Sequence, residues 1–346
     1  ASPQPRAPNP ESLVDDPKPS GQQRTPLETP RAKVPPVRPI LDIHTAKVAV
    51  ELTNRCNLRC GMCPMGNLGR AEGDMPWWLV EKVATDFRDE GIAVRWLHEM
   101  GEPLLYPRLS EAIDLFPGCS VSTNVMMLDE DYGGELLDTS LERIRLCVDT
   151  INPEVYPLVR RGGKFDQVVA NIRTFLETSK GHDIKVEIQR MISLHTAEET
   201  LREFEAFFHL DRYPQAYVIE KTCEGMDTSE ATEFHQAYHG CFQGYPFRWF
   251  VVLADGSVTH CCYDYDGAQP IGDMKTQTVR EILASETVTG YMDAFKGKDW
   301  ETLPRCGECY RSSSGTAVVI DKLTQLGHTL DRVLPVKQVA RRILNR

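Results

Sequence analysis

Between Val48 and Lys221 six short apolar runs alternate with amphipathic segments, and this alternation constrains the fold more than any other feature. Strands are expected at 48–52, 94–98, 119–123, 144–148, 185–191 and 216–221. Helices are expected at 77–88, 109–115, 135–141, 165–178 and 197–208. Strands separated by helices make βαβ units and a parallel sheet. Six such units curl into an open or partial (β/α)6 barrel, an α/β fold whose ligands gather at the C-terminal ends of the strands. Alternation along each strand then sorts the side chains. Ile144, Leu146 and Val148 face the helices, so Cys147 and Asp149 face the barrel interior. Ser120, Ser122 and Asn124 share one face, and Cys119 and Val121 take the other. A lumen lined by polar groups suits a polar ligand.

At 346 residues the chain has room for about two domains. Its 41% hydrophobic content fills a core and excludes wholesale disorder. No apolar run reaches about 18 residues, so no transmembrane helix is expected. Ala1-Ser2-Pro3-Gln4-Pro5 carries no apolar segment of a secretory signal. A net charge of −11 argues against a nucleic-acid partner held through phosphates. Eleven cysteines, an odd number, fit metal ligation in a reducing cytoplasm better than a disulfide framework. Eleven of the 23 prolines fall in residues 1–40, which makes 1–43 a flexible leader. The barrel is expected over 44–235. Beyond it, 250–253 and 258–261 around Asp255-Gly256 read as a hairpin, and 279–283 as a helix. A small domain over 236–312 then gives way to an amphipathic basic helix at 313–346, with Leu323, Leu326, Leu330 and Val333 at helical spacing.

Directly behind the first strand stands Glu51-Leu52-Thr53-Asn54-Arg55-Cys56-Asn57-Leu58-Arg59-Cys60-Gly61-Met62-Cys63-Pro64. Three thiolates spaced C-x3-C-x2-C can wrap one face of an iron–sulfur cube and leave one iron open. Structural zinc wants four closed ligands, which this spacing does not supply.

Here the sequence resembles the radical S-adenosylmethionine (radical SAM) superfamily, over about residues 46–310. Cys56, Cys60 and Cys63 carry its signature, in a setting similar to members with SPASM or twitch C-terminal domains. Gly101-Glu102-Pro103 after the second strand and Ser122-Thr123-Asn124 after the third match further motifs. The resemblance implies a radical SAM barrel whose [4Fe–4S] cluster has an open iron chelated by the amino and carboxylate groups of SAM. It implies that Gly101 and Glu102, on the turn made with Pro103, hold the amino group, and that Ser122 and Asn124 reach the ribose. Met62 stands where many members have an aromatic residue and can pack on the adenine. One electron from the cluster would cleave SAM to a 5′-deoxyadenosyl radical, with a flavodoxin, ferredoxin or reductase as the electron source.

Cys241, Gly256-x4-Cys261 and Cys306-Gly307-Glu308-Cys309 look like the opening of a SPASM domain. No cysteine follows Cys309, so the shorter twitch form with one auxiliary [4Fe–4S] cluster fits better. Its expected ligands are Cys241, Cys261, Cys306 and Cys309, with Cys262 a spare or a substitute for Cys261. Taken alone, these cysteines fit a structural zinc site equally well.

Cys119 reads as core filling, and His98 as a hydrogen-bonded structural histidine. Cys147 and Cys223 are candidate hydrogen-atom donors. Glu51, Asp149, Glu187, Gln189 and Lys221, near strand ends or facing inward, are candidate substrate contacts. The leading function is hydrogen abstraction from a hydroxyl-bearing carbon of a carbohydrate- or aminocyclitol-like metabolite, ending in epimerisation or dehydrogenation, in natural-product or glycan biosynthesis. The alternatives are modification of a ribosomal peptide and an iron–sulfur electron carrier.

Overall fold

A computed structural model of the protein describes residues 43–44, 46–193, 195–222 and 248–307. Residues 1–42 of the leader, the basic tail from 313, Cys223, Cys241 and Cys309 lie outside the described residues, whereas Ile43, read as the leader's last residue, is buried in the core. Eight strands occur among the described residues: β1 (Lys47–Val50), β2 (Ser120–Thr123), β3 (Arg143–Asp149), β4 (Lys185–Ile192), β5 (Ala216–Thr222), β6 (Trp249–Val252), β7 (Ser257–Thr259) and β8 (Gly272–Asp273). They form two four-stranded sheets, ordered β8-β7-β6-β1 and β2-β3-β4-β5. Neighbours from β2 to β5 run parallel, as does β1 with β6, and the β6–β7 and β7–β8 pairs are antiparallel. The hairpin expected after the barrel is therefore present, and its first strand extends the parallel sheet beside β1.

The strand expected at 94–98 shrinks to a single residue. Trp96 bridges in parallel to Ala49 on one side and to Ser120 on the other. Val50 N donates to Trp96 O (2.9 Å), and Leu97 N donates to Ser120 O (2.9 Å). The two sides of the Trp96–Leu97 peptide thus reach opposite neighbours, which joins the two sheets before any ladder develops.

Helices α1 (Trp77–Asp89), α2 (Leu109–Leu115), α3 (Glu130–Leu137), α4 (Tyr156–Val159), α5 (Phe165–Thr178) and α6 (Leu201–Phe207) fall between the barrel strands. After the hairpin come α7 (Val279–Leu283), α8 (Glu286–Gly297) and α9 (Pro304–Gly307). Leu79, Val80, Val83 and Phe87 of α1, and Val168, Ile172 and Phe175 of α5, join Ile144, Leu146, Val148, Val186 and Ile188 in one core. Each such side chain contributes about 1.5–3 kcal/mol when fully buried. No helix among the described residues is long and apolar enough to cross a membrane.

Two helix boundaries differ from expectation, and capping explains both. Asp129 starts α3 by accepting from Tyr132 N (2.9 Å), so this helix runs over 130–137 rather than 135–141 despite Gly133 and Gly134. Thr200 and Glu203 form a capping box that starts α6 four residues later than hydrophobic spacing suggested. Helix α8, which the sequence reading lacked, is capped by Ser285.

Candidate active site

The residues around the three cysteines shape the loop behind β1. Arg55 grips Asp74 through Nε (2.8 Å) and Nη2 (2.7 Å), and Nη2 also donates to Leu105 O (3.0 Å). Asn54 Nδ2 donates to Ala71 O (2.9 Å), and Asn54 Oδ1 accepts from Gly73 N (2.7 Å). The loop then meets the Gly101 turn, where Glu102 N donates to Arg55 O (2.8 Å).

A cavity of about 650 Å³ lies at the C-terminal ends of the strands, and Cys56, Cys60 and Cys63 all line it. Among the described residues no three Cys, His, Asp or Glu side chains converge on a single-ion centre. The three thiols edge one bowl of the cavity, and three thiolates there suit a cube with an open iron better than a four-ligand zinc site. Donors already point at the sulfurs: Leu58 N at Cys56 Sγ (3.4 Å), and the guanidinium of Arg160 at Cys60 Sγ (3.7 Å). Burial pushes all three thiols up, Cys63 to about 11, so cationic iron is what would make them thiolates here. The donor set fits a cluster.

The expected SAM contacts Gly101, Glu102, Ser122 and Asn124 line the same cavity, and Asn124 Nδ2 lies 3.9 Å from Cys56 Sγ. Gly101 has φ +81°, and a Cβ there would lie 2.5 Å from Thr53 O and 2.8 Å from Arg55 O. Only glycine fits that turn. Glu102, 2% exposed, accepts from Leu104 N (3.1 Å) and Asn124 N (2.6 Å), and it also bonds the Thr123 side chain. A carboxylate offers about four acceptor sites, so one remains for an ammonium group. Burial raises its pKa, which an approaching cation would reverse. Ser122 Oγ lies 3.2 Å from Cys147 Sγ, and Asn124 Nδ2 donates to Asn57 Oδ1 (2.7 Å). Met62 lines the cavity, whereas Pro103 is buried and shapes the turn instead.

The substrate candidates divide. Asp149, Gln189 and Lys221 line the cavity, as does Cys147. Asp149 adopts a left-handed backbone (φ +66°) and is held by Gln189 Nε2 (2.9 Å) and Arg160 (2.5 Å). Strain fixed by two partners is typical of functional positions. Desolvation first, then Arg145, lowers the pKa of Lys221.

Glu51 and Glu187 are not among the residues that line the cavity. Glu51 is fully buried and accepts four hydrogen bonds, from Arg70 Nη1 (2.7 Å) and Nη2 (2.9 Å), Met100 N (3.0 Å) and Ala254 N (3.1 Å). Its acceptor sites are spent on tying β1 to the cysteine loop and the hairpin. Glu187 sits near the start of β4, at the far end from the cavity. There it pairs with Arg143 (2.7 Å), Arg145 (2.6 Å) and the Tyr217 hydroxyl (2.8 Å). Removing one partner of a buried pair strands the other charge. Arg70→Met is therefore expected to lose about 3–5 kcal/mol in urea unfolding; a loss under about 1 kcal/mol would show the pair to be incidental.

Cys119 is core, as expected. His98 is not the hydrogen-bonded histidine expected. It lines the cavity, its buried Nδ1 has no partner among the described residues, and burial pushes its pKa down to about 3. Glu99, Arg160 and Cys262 also line the cavity, and sequence reasoning gave none of them that place. Arg160 caps the C-terminus of the short helix α4, in the connection between β3 and α5. Of the auxiliary cysteines, Cys261 and Cys306 are described, and Cys262 faces the reaction cavity.

The fold and the thiol bowl together define an iron–sulfur enzyme on a partial α/β barrel. The radical SAM superfamily model matches residues 50–208, and the model of the SPASM iron–sulfur cluster-binding domain matches residues 241–310. The chain belongs to the radical SAM superfamily, in its SPASM-bearing group, and its cofactors are SAM and [4Fe–4S] clusters. A probable GTP 3′,8-cyclase of Methanothermobacter thermautotrophicus is 26% identical over 145 residues, 40% of this chain and 45% of that protein. The GTP 3′,8-cyclase of Limosilactobacillus fermentum is 28% identical over 173 residues, 45% of this chain and 48% of that one. The chain thus spans less than half the length of these curated relatives. Among solved structures, BtrN in complex with AdoMet and 2-DOIA is 17% identical with TM-score 0.51, over 76% of this chain and 92% of BtrN. Native anSMEcpe with AdoMet and the Cp18Cys peptide is 16% identical with TM-score 0.54, over 71% of this chain and 81% of that one. Both show the same fold.

Proposed function

We propose that this radical SAM enzyme takes a hydrogen atom from a hydroxyl-bearing carbon of a carbohydrate- or aminocyclitol-like metabolite and oxidises that carbon to a ketone. The observation that carries the reading is one cavity that reaches from the three cysteines to Lys221 and Cys262 and presents Asp149, Gln189 and Lys221 among its lining side chains. Cys56, Cys60 and Cys63 hold the first cluster within the barrel at 44–235. Cys241, Cys261, Cys306 and Cys309 hold the second within 236–312. Glu102 and the Gly101 backbone bind the amino group of SAM, Ser122 and Asn124 its ribose, and Met62 its adenine. When bound, these groups supply hydrogen-atom abstraction and a one-electron sink, with a flavodoxin- or ferredoxin-type donor to prime them.

The protein's own part is to orient the substrate and move the hydroxyl proton. Asp149 and Gln189 form a fixed acceptor–donor pair for neighbouring hydroxyls. Lys221, its amine favoured by desolvation, accepts the O–H proton as the carbon becomes a ketone. A base works when deprotonated, so ketone formation should rise with pH through a Lys221 pKa below the ordinary lysine value of about 10.4. Lys221→Met should cut ketone formation by about 10²–10⁴ and remove that limb, while 5′-deoxyadenosine release persists. An unchanged pH profile in the variant would refute Lys221 as the base.

Cys147 supports a second reading, because its thiol faces the cavity beside Ser122. A thiol there can return a hydrogen atom and give an epimer, the thiyl radical left behind taking one electron from the reduced auxiliary cluster and one proton from solvent; Cys223 is the other candidate donor. In deuterated water an epimer gains one deuterium at the inverted carbon, and Cys147→Ala or Cys223→Ala suppresses it. Products from candidate sugars and aminocyclitols, with GTP and peptides in parallel, decide the substrate class; conversion of GTP alone would overturn the proposal.

A further inference from the structure

The auxiliary segment contains a buried glutamine with a second use. Gln269, 2% exposed, accepts from Arg305 N through Oε1 (2.5 Å) and donates from Nε2 to Cys306 Sγ (3.7 Å). The amide orientation follows from chemistry: a backbone N–H only donates, so Oε1 must face Arg305 and the NH₂ group must face the sulfur. Its own backbone is pinned as well. Gln269 N and Ala268 N donate to the two carboxylate oxygens of Asp264 (2.9 Å each), and Asp264 N donates to Cys261 O (3.0 Å). One chain of hydrogen bonds therefore runs from Cys261 through Asp264 and Gln269 to Cys306, across segments far apart in sequence.

We propose that Gln269 is a positioning residue for the auxiliary cluster, which sets the spacing of Cys261 and Cys306 and tunes the cluster's reduction potential through its N–H···S bond. This rests on the reading of Cys261 and Cys306 as ligands. A donor to a ligating sulfur stabilises the more negative, reduced cluster and so raises its potential. A simple structural glutamine would need only the Arg305 contact. Gln269→Glu keeps an acceptor for Arg305 N, loses the donor, and so separates the two roles.

The test uses the full chain carrying Cys56→Ala, Cys60→Ala and Cys63→Ala, so that only the auxiliary cluster reports. A redox titration followed by electron paramagnetic resonance should show the midpoint falling in Gln269→Glu. At fixed poise the oxidised-to-reduced ratio should rise about tenfold, which is about 59 mV for one electron. An unchanged midpoint at unchanged iron content would overturn the proposal and leave the auxiliary cluster standing. Absence of iron from the triple-cysteine background would instead remove the cluster itself, and the proposal with it. A second measurement needs no glutamine variant. With ¹⁵N in glutamine side chains, pulsed resonance of the reduced cluster should show one nitrogen coupling, and its absence would also overturn the assignment.

Discussion

Changing Cys56, Cys60 and Cys63 together to alanine should lower the anaerobic protein from about eight irons to about four and abolish 5′-deoxyadenosine release. The three thiols edge one bowl in the cavity, while Cys261 and Cys306 lie in the segment beyond the hairpin, so the two sets should load independently. The loss should be complete rather than graded, because the two other thiols that line the cavity among the described residues are already engaged. Cys147 is engaged with Ser122, and Cys262 packs against Ala49, Val251 and Leu253. The loop itself should survive, since Arg55–Asp74 and the Asn54 bonds hold it without help from sulfur. Circular dichroism should therefore match the parent. Retained SAM cleavage would refute the assignment of this motif.

The contrast between the two cysteine sets shows what a sequence discloses. Cys56, Cys60 and Cys63 fall within eight residues of one another, so spacing alone brings them to one loop. Strand parity was equally legible: Cys147 and Asp149 face the cavity, and Cys119 and Val121 the core, because alternation in a strand is rigid. Glu51 and Glu187 went the other way. Each looked like an inward carboxylate, but Arg70, Arg143 and Arg145 reach them only after the chain folds. Whether a polar residue is free or already satisfied depends on partners distant in sequence. His98 and Glu99 illustrate the converse. They were eclipsed by the Gly-Glu-Pro turn beside them, yet they line the cavity. Burial pushes the carboxyl of Glu99 well up, an effect of surroundings that no local pattern encodes.

Gly101→Ala should be the most damaging single substitution in the turn. At φ +81° any L side chain is strained by about 1–2 kcal/mol before contacts are considered. Here the new methyl would also sit 2.5 Å from Thr53 O, 2.8 Å from Arg55 O and 2.9 Å from Asn54 C. All three are backbone atoms of the cysteine loop, so no rotamer change relieves the clash. The turn must retreat from the loop, and the Glu102 N to Arg55 O bond breaks with it. Clash, strain and a lost buried bond together should cost about 4 kcal/mol or more, a fall of about 10 °C in Tm. SAM binding should fail even where the protein stays folded, because Glu102 moves with the turn. Gly134→Ala is the matched control. A Cβ there meets nothing within 4 Å inside α3, so it should stabilise by about 0.4–1 kcal/mol. Calorimetric melting of both variants, with SAM titrated into each, checks the pair. Equal melting temperatures for the two would mean that the cysteine loop yields to Gly101→Ala, and that its backbone is not the rigid wall these distances imply.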